Sequence, residues 1–292
     1  MKKMIPAALC MVSLAAASLT GCSLNSETAQ NLADEVTANT SAVHSASVNI
    51  DMNMDLDYES AGISIPLSYN AQMSGNISRD PSAAHLTGTI TASSDIGSSK
   101  NEEEIYSLTD SGTKTIYTGS DGNWYQTVQE ISGSKQDLIS DSGLCQLIAD
   151  ADLHGVLEED SRTVDGRECY VIDTAISGDT LRDVMEEYLT RQDLYLDDVD
   201  WSDVSADAAI CIYKDTKLPA RISLDSDFSN PFSIGSSDST AVAHLKAFNI
   251  EYTFSDYGTA ETVSIPQNII DTAGSAGAQV NILERELEAE TQ

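Results

Sequence analysis

Positive charge is scarce in this sequence. Only 15 Lys and Arg stand against 47 Asp and Glu, a formal net charge of -32. A phosphate backbone is bound by Lys and Arg, so this balance excludes nucleic acid as a partner. It also excludes a protein surface that hugs anionic lipid. The acids are spread along the chain rather than massed in one tail, which reads as a soluble, self-repelling surface. Metal-ligand and catalytic patterns are missing too. His44, His85, His154 and His244 are scattered, with no HxH or HxxxH spacing. The absence of CxxC removes a zinc knuckle and a dithiol redox site. There is no GxSxG, no phosphate-cradling glycine loop and no nucleotide fingerprint. Paired carboxylates occur, but chance pairs are expected among 47 acids. No catalytic constellation and no cofactor site can be assembled, which points away from an enzyme. Long apolar runs are absent as well. The longest, Met4 to Ser18, is too short for a spanning helix.

That run has a meaning of its own. Lys2 and Lys3 precede it, and Leu19-Thr20-Gly21-Cys22 follows it. This order looks like a secretory signal with the bacterial lipobox. The resemblance implies cleavage before Cys22 and a diacylglycerol on its thiol. The mature chain would then sit outside the cytoplasm, on a membrane, held by lipid. Removing residues 1–21 loses Lys2 and Lys3 and no acid, so the formal charge goes from -32 to -34.

Hydrophobic residues make up 41% of the chain, enough for a real core. Of five cysteines, Cys10 lies in the signal and Cys22 at the lipid site. Cys145, Cys169 and Cys211 remain, so at most one disulfide forms within the chain. Their apolar neighbours favour buried thiols. The acidic stretch Asp193 to Asp207 offers hard oxygens at Asp197, Asp198, Asp200, Ser202, Asp203 and Asp207. Counted from Asp198, an EF-hand would need Gly where Asp203 stands and Glu where Ala209 stands. The stretch reads as a solvated loop.

Residues 22–28 read as a polar tether. Leu32, Ala33, Val36, Thr40 and Val43 then fall at helical spacing, a first amphipathic helix ending near His44. Strict alternation follows. Val48, Ile50, Met52, Met54, Leu56 and Tyr58 are apolar, and every residue between them is polar. It resumes from Ile63 through Ile65, Leu67, Tyr69, Ala71, Met73, Gly75 and Ile77. Period two marks strands with one buried and one wet face, so the two segments form a long antiparallel hairpin. Strands this long must coil, and Gly75 and Gly88 are candidate bends. A third strand runs over Ala84–Ala92, a loop over Ile96–Lys100, and shorter strands over Glu104–Thr109 and Lys114–Thr118. Asp121-Gly122 turns into Trp124-Tyr125-Gln126. Gln136–Ala151 reads as a helix. Asp165-Gly166 turns a hairpin between Val156–Thr163 and Glu168–Ile176. Asp179 caps a helix bearing Leu181, Val184, Met185, Tyr188 and Leu189. Strands follow at Ala208–Lys214 and Pro219–Asp225, then a loop over Ser226–Ser239 and a long strand over Ala241–Phe254. The expected class is α+β: a long, curved antiparallel sheet covered by about three amphipathic helices. Residues 29–271 form one domain, and residues 272–292 an acidic tail.

In that order the pieces resemble a family. Leu19–Cys22, the meander of Val48 to Ala92, Asp121–Tyr125, Val164–Tyr170, Tyr213–Pro219 and Tyr252–Pro266 resemble the bacterial lipoproteins of the LolA/LppX-like half-barrel group, in its Gram-positive surface form. The resemblance implies a curved sheet wrapped over helices around an apolar hollow, which in several members carries lipids or lipoproteins. It brings no catalytic residue. The candidate ligand-lining residues here are Met52, Met54, Tyr69 and Met73, because methionine adapts to irregular apolar partners such as a lipid tail. Against this stands a simpler reading in which they fill a solid core, and the protein acts through its outer surface as an envelope interaction or sensor module. The sequence names no protein partner.

Overall fold

The structure, a computed structural model, describes residues 29–60, 62–120, 122–130, 156–157, 162–178, 181–182, 185, 194–195, 200–201, 204–236 and 241–275. The alternating segments form strands β1 (Ser45–Ser60), β2 (Ile63–Arg79) and β3 (Ser82–Ser94). The meander continues through β4 (Gly97–Asp110), β5 (Thr113–Ser120) and β6 (Asn123–Glu130). Short strands β7 (Val156–Leu157) and β8 (Arg162–Val164) precede β9 (Arg167–Ser177). After β10 (Leu194–Tyr195) come β11 (Ser205–Tyr213), β12 (Pro219–Ser236) and β13 (Ala241–Ser255). A terminal pair, β14, covers Gly274–Ser275. The order across the sheet is β14-β6-β5-β4-β3-β2-β1-β13-β12-β11-β9-β7. Every pairing is antiparallel except β14 with β6. The join between the first and last meanders is β1 with β13, from Ser47↔Ser255 to Ser60↔Ala241.

The expected hairpin is present in the expected register. Val48↔Gly75, Met54↔Tyr69 and Tyr58↔Ile65 face one another, so both apolar sets lie on one face, the inner face. Asp51 and Asp55 are exposed on the other. The main core is this inner face, contributed by β1–β5, β9 and β11–β13. Two smaller clusters lie on the outer face. Val164, Cys169, Val171, Cys211, Tyr213 and Ala220 form one. Ala83, Tyr106, Tyr117, Val263 and Ile269 form the other, where the segment after β13 folds back over β3–β5. The sheet is thus wet on its outer face only in part.

Helix α1 (Ala29–Ala42) covers the inner face through Leu32 and Val36, both fully buried. Its last turn carries no basic residue to satisfy the terminal carbonyls. Arg79, at the end of β2, supplies the donors instead, from Nη2 to Thr40 O (2.9 Å) and from Nη1 to Ser41 O. Asn39 Nδ2 donates to Thr216 O (3.0 Å), tying the helix to the β11–β12 turn.

Three expectations are corrected. The cover of about three helices is not borne out: among the described residues the complete helices are α1 and the six-residue α2 (Gln267–Thr272). The helix expected over 136–151 lies outside the described residues, as do the signal, the tether and the tail beyond Ser275. Of the helix expected after Asp179, the described positions Leu181, Arg182 and Met185 are helical, with Leu181 and Met185 fully buried. The loop expected over Ile96–Lys100 is the start of β4. Ser93↔Ser98 and Thr91↔Lys100 pair across the β3–β4 ladder, which overrides the weak strand propensity of Gly and Ser. The loop expected over Ser226–Ser239 is mostly β12. Its ladder to β13 breaks between Asp227 and Phe232 and resumes with Phe232↔Leu245, a local irregularity that a Ser/Asp-rich sequence imitates as a turn. At the other hairpin the D-G signal holds. Asp165 (φ 50°) and Gly166 (φ 77°) both take the left-handed conformation required by the tight turn between β8 and β9.

Candidate functional site

Met52, Met54, Tyr69 and Met73 share the inner face, as the alternation requires. All four are buried, from 1% exposed at Met54 to 8% at Met73. Cross-strand pairing sets a large residue beside a small one: Met52↔Ala71, Tyr69↔Ala92 and Met73↔Gly88. Met54 lies between Tyr69 on β2 and Phe248 on β13. Between Val48 and Tyr58, and between Ile63 and Ile77, this face carries no charged side chain. An apolar chain would meet methionine and aromatic surface here and nothing to hold an anion. Farther across the sheet Lys114 is buried (6% exposed) two positions before Ile116. The alternation of Lys114, Ile116 and Thr118 on β5 was the sequence signal for that inward lysine.

A pocket of about 500 Å³ opens on the opposite face, and none of the four residues lines it. Its walls include Asp55, Pro66, Ser68, Asp225, Lys246 and Asn249. The pocket forms where β13 bulges. The register shifts between Asp55↔Ala247 and Leu56↔Leu245, leaving Lys246 as the extra residue. Its ammonium donates to Asp57 Oδ1 at 2.9 Å. Ser68 Oγ donates to Asp55 Oδ1, and the Ser226 N–H to Asn249 Oδ1 at 3.1 Å. These groups suit a polar molecule, with the Lys246 charge already paired to Asp57.

A family of unknown function, DUF6612, matches residues 28–274, nearly all of the described fold. The chain belongs to that family. No curated protein matches it. Among solved structures, LprF from Mycobacterium bovis is 13% identical, with a TM-score of 0.46 over 82% of this chain and 97% of that one. A DUF1329 family protein from Desulfovibrio piger is 11% identical, with a TM-score of 0.24 over 77% and 93%. A β-barrel-like DUF1849 protein from Brucella abortus is 9% identical, with a TM-score of 0.21 over 70% and 97%. At these scores none of them carries a function to the DUF6612 chain.

The other candidate residues are placed as follows. Cys22, Cys145, Asp197, Asp198, Ser202 and Asp203 lie outside the described residues. Asp200 is exposed, and Asp207 pairs with Asp225 across β11–β12. Among the described residues no group of three or more His, Cys, Asp or Glu could hold a metal ion. Among them, too, no helix is long and apolar enough to cross a membrane.

Cys169 and Cys211 are free thiols, buried in the outer-face cluster beneath Tyr257. Burial pushes both thiols up, because the thiolate would lose its water. Tyr213 and Tyr257 close the cluster. Tyr213 donates to Phe254 O (3.2 Å) and Tyr257 to Pro219 O (2.7 Å), while Arg167 lies 3.7 Å over the Tyr213 ring. Alkylation with iodoacetamide at pH 7.5 should therefore leave Cys169 and Cys211 unmodified in the folded protein and label both in denaturant, as read by peptide mass mapping. Rapid labelling of the folded protein would mean that this cluster is open.

Proposed function

We propose that this chain is a lipoprotein of the extracytoplasmic membrane face, anchored through an acylated Cys22. In this reading it performs no catalysis. It takes up or shields a lipid tail or another apolar chain against the inner face of its sheet. The observation that supports this is the uncharged inner face of β1 and β2, where Met52, Tyr69 and Met73 pair with Ala or Gly on neighbouring strands and Met54 lies between Tyr69 and Phe248. Flexible methionines beside small residues make a surface that can repack around a chain of variable shape.

Met73→Trp tests the ligand. The larger ring would block the inner face at that position while keeping it apolar, at an overpacking cost of about 1–3 kcal/mol. A fluorescent fatty acid should bind the native protein saturably and the variant at least tenfold more weakly. Native mass spectrometry of protein taken from its own membrane should show a retained lipid. If the probe binds neither form and no lipid copurifies, the carrier reading fails. The outer surface, with its polar pocket around Asp55, Asp225 and Lys246, then becomes the working face.

Cys22→Ala tests the anchor independently. The variant should be released to the medium or remain an uncut precursor. Normal processing with retention in the membrane would overturn the assignment.

A further inference from the structure

The outer face of β3–β6 carries a group of side chains that the inner-face reading does not use. Trp124 on β6 faces Gly119 on β5, and Gly119 faces Glu104 on β4. A Cβ at Gly119 would lie 2.8 Å from the Trp124 ring carbons, so the indole lies across the strand at that position. Strands are about 4.8 Å apart, so an indole over β5 reaches to within one strand spacing of Glu104. A tryptophan over a glycine is by itself a stabilising cross-strand pair. What adjoins it here is polar and fixed.

Glu104 Oε1 contacts His85 Nε2 at 2.8 Å and accepts from the Tyr106 hydroxyl at 3.1 Å. Both contacts use the same oxygen, which leaves Oε2 outside them. The rings of His85 and Tyr106 stack with centroids 4.1 Å apart and planes 3° from parallel. Tyr106 in turn packs against Trp124 at 5.8 Å. Tyr106, 7% exposed, is covered on this same face by the cluster of Val263 and Ile269, against which Trp124 also packs. The His85 and Glu104 side chains nevertheless remain 34% and 41% exposed, and Trp124 is half-buried. The result is a half-exposed indole bordered by a held carboxylate and an imidazole that are each partly open to solvent.

We propose that this surface is a glycan-binding site. A sugar ring has an apolar face of C–H groups, which lies on an indole, and a rim of hydroxyls, which donate to a carboxylate. Trp124 supplies the platform, and Glu104 and His85 supply the rim contacts. Preorganisation through the His85–Tyr106 stack lets a small site hold its geometry without induced ordering. The charge of the chain selects among sugars. At a formal net charge of -32, with Glu104 at the rim, polyanionic glycans are repelled and neutral or amine-bearing ones are not.

The test uses full-length protein in a detergent that carries no sugar head group. Saturation-transfer NMR reads contact from the side of the sugar, with chitotetraose as the neutral probe and tetragalacturonate as the anionic one. The native protein should transfer saturation to chitotetraose and not to tetragalacturonate. Glu104→Gln should weaken binding at least tenfold, and Trp124→Leu should abolish it. Cys169→Ser, in the other outer-face cluster, should change nothing. If Trp124→Leu does not fold, Glu104→Gln decides. Absence of saturable transfer to chitotetraose, or binding unchanged in the variants that fold, overturns the proposal.

Discussion

Gly88→Ala should destabilise the protein by roughly 3–5 kcal/mol, a loss reserved for substitutions that the fold cannot accommodate. An added Cβ would lie 1.9 Å from Gln72 O, a backbone atom of the neighbouring strand. At Gly75 the corresponding contact is 1.8 Å from His85 O. No rotamer relieves either clash, so β2 and β3 would have to separate. The β2–β3 register is continuous through both positions, from Leu67↔Ser94 to Arg79↔Ser82. The glycines are therefore not bulges. They are points where two strands approach too closely for a side chain, Gly88 directly opposite Met73. Gly97→Ala is the internal control. Nothing lies within 4 Å of its added Cβ, and it should stay within about 0.5 kcal/mol of the native protein. For a domain of this size the difference corresponds to a drop in Tm on the order of 10 °C. Equal melting of the two variants would show that the strands are not in close contact at Gly88.

Much of this fold is written in the sequence because a sheet face has period two. Val48–Tyr58 specified its own face and register, since a slip by one residue would have buried Asp51 and Asp55. Strand length was harder to read. Gly97-Ser98-Ser99 and Ser226–Ser236 have loop composition, and they are strands because neighbours with free ladder positions lie beside them. Composition cannot report a long-range partner. The β1–β13 pairing is of the same kind, since it joins segments nearly the length of the domain apart. The face bearing the four candidate inner residues was legible for the same reason as the strands. The glycan surface was not. His85, Glu104, Gly119 and Trp124 come from four strands, and only the register places them together. The signal available was the alternation of Glu104, Tyr106 and Leu108, which puts a carboxylate and an aromatic on one face of β4.

Met54→Asp and Asn53→Asp, one residue apart, should differ by several kcal/mol and so decide what the inner face is. Met54 is 1% exposed between Tyr69 and Phe248. A carboxylate there loses the methionine packing and its own hydration, a cost of about 4 kcal/mol or more at pH 7. Burial raises its pKa above the unfolded value of about 3.9. The unfolded state then ionises first, so the deficit is smallest below about pH 4 and grows as pH rises toward the folded-state pKa. Salt should not relieve it, because the penalty is desolvation rather than repulsion. Asn53 points to the outer face, where its Oδ1 accepts from Asn70 Nδ2 at 2.7 Å. An aspartate keeps that acceptor and adds one charge beside Asp51 and Asp55. Its cost should be below about 1 kcal/mol and should fade at 0.5 M salt, as exposed like-charge repulsion does. Thermal melts at pH 4 and pH 7, with and without salt, separate the two. A Met54→Asp protein that melts like the native one at pH 7 would mean that water reaches Met54. The inner face would then be a wet channel, and a lipid tail would be the wrong occupant for it.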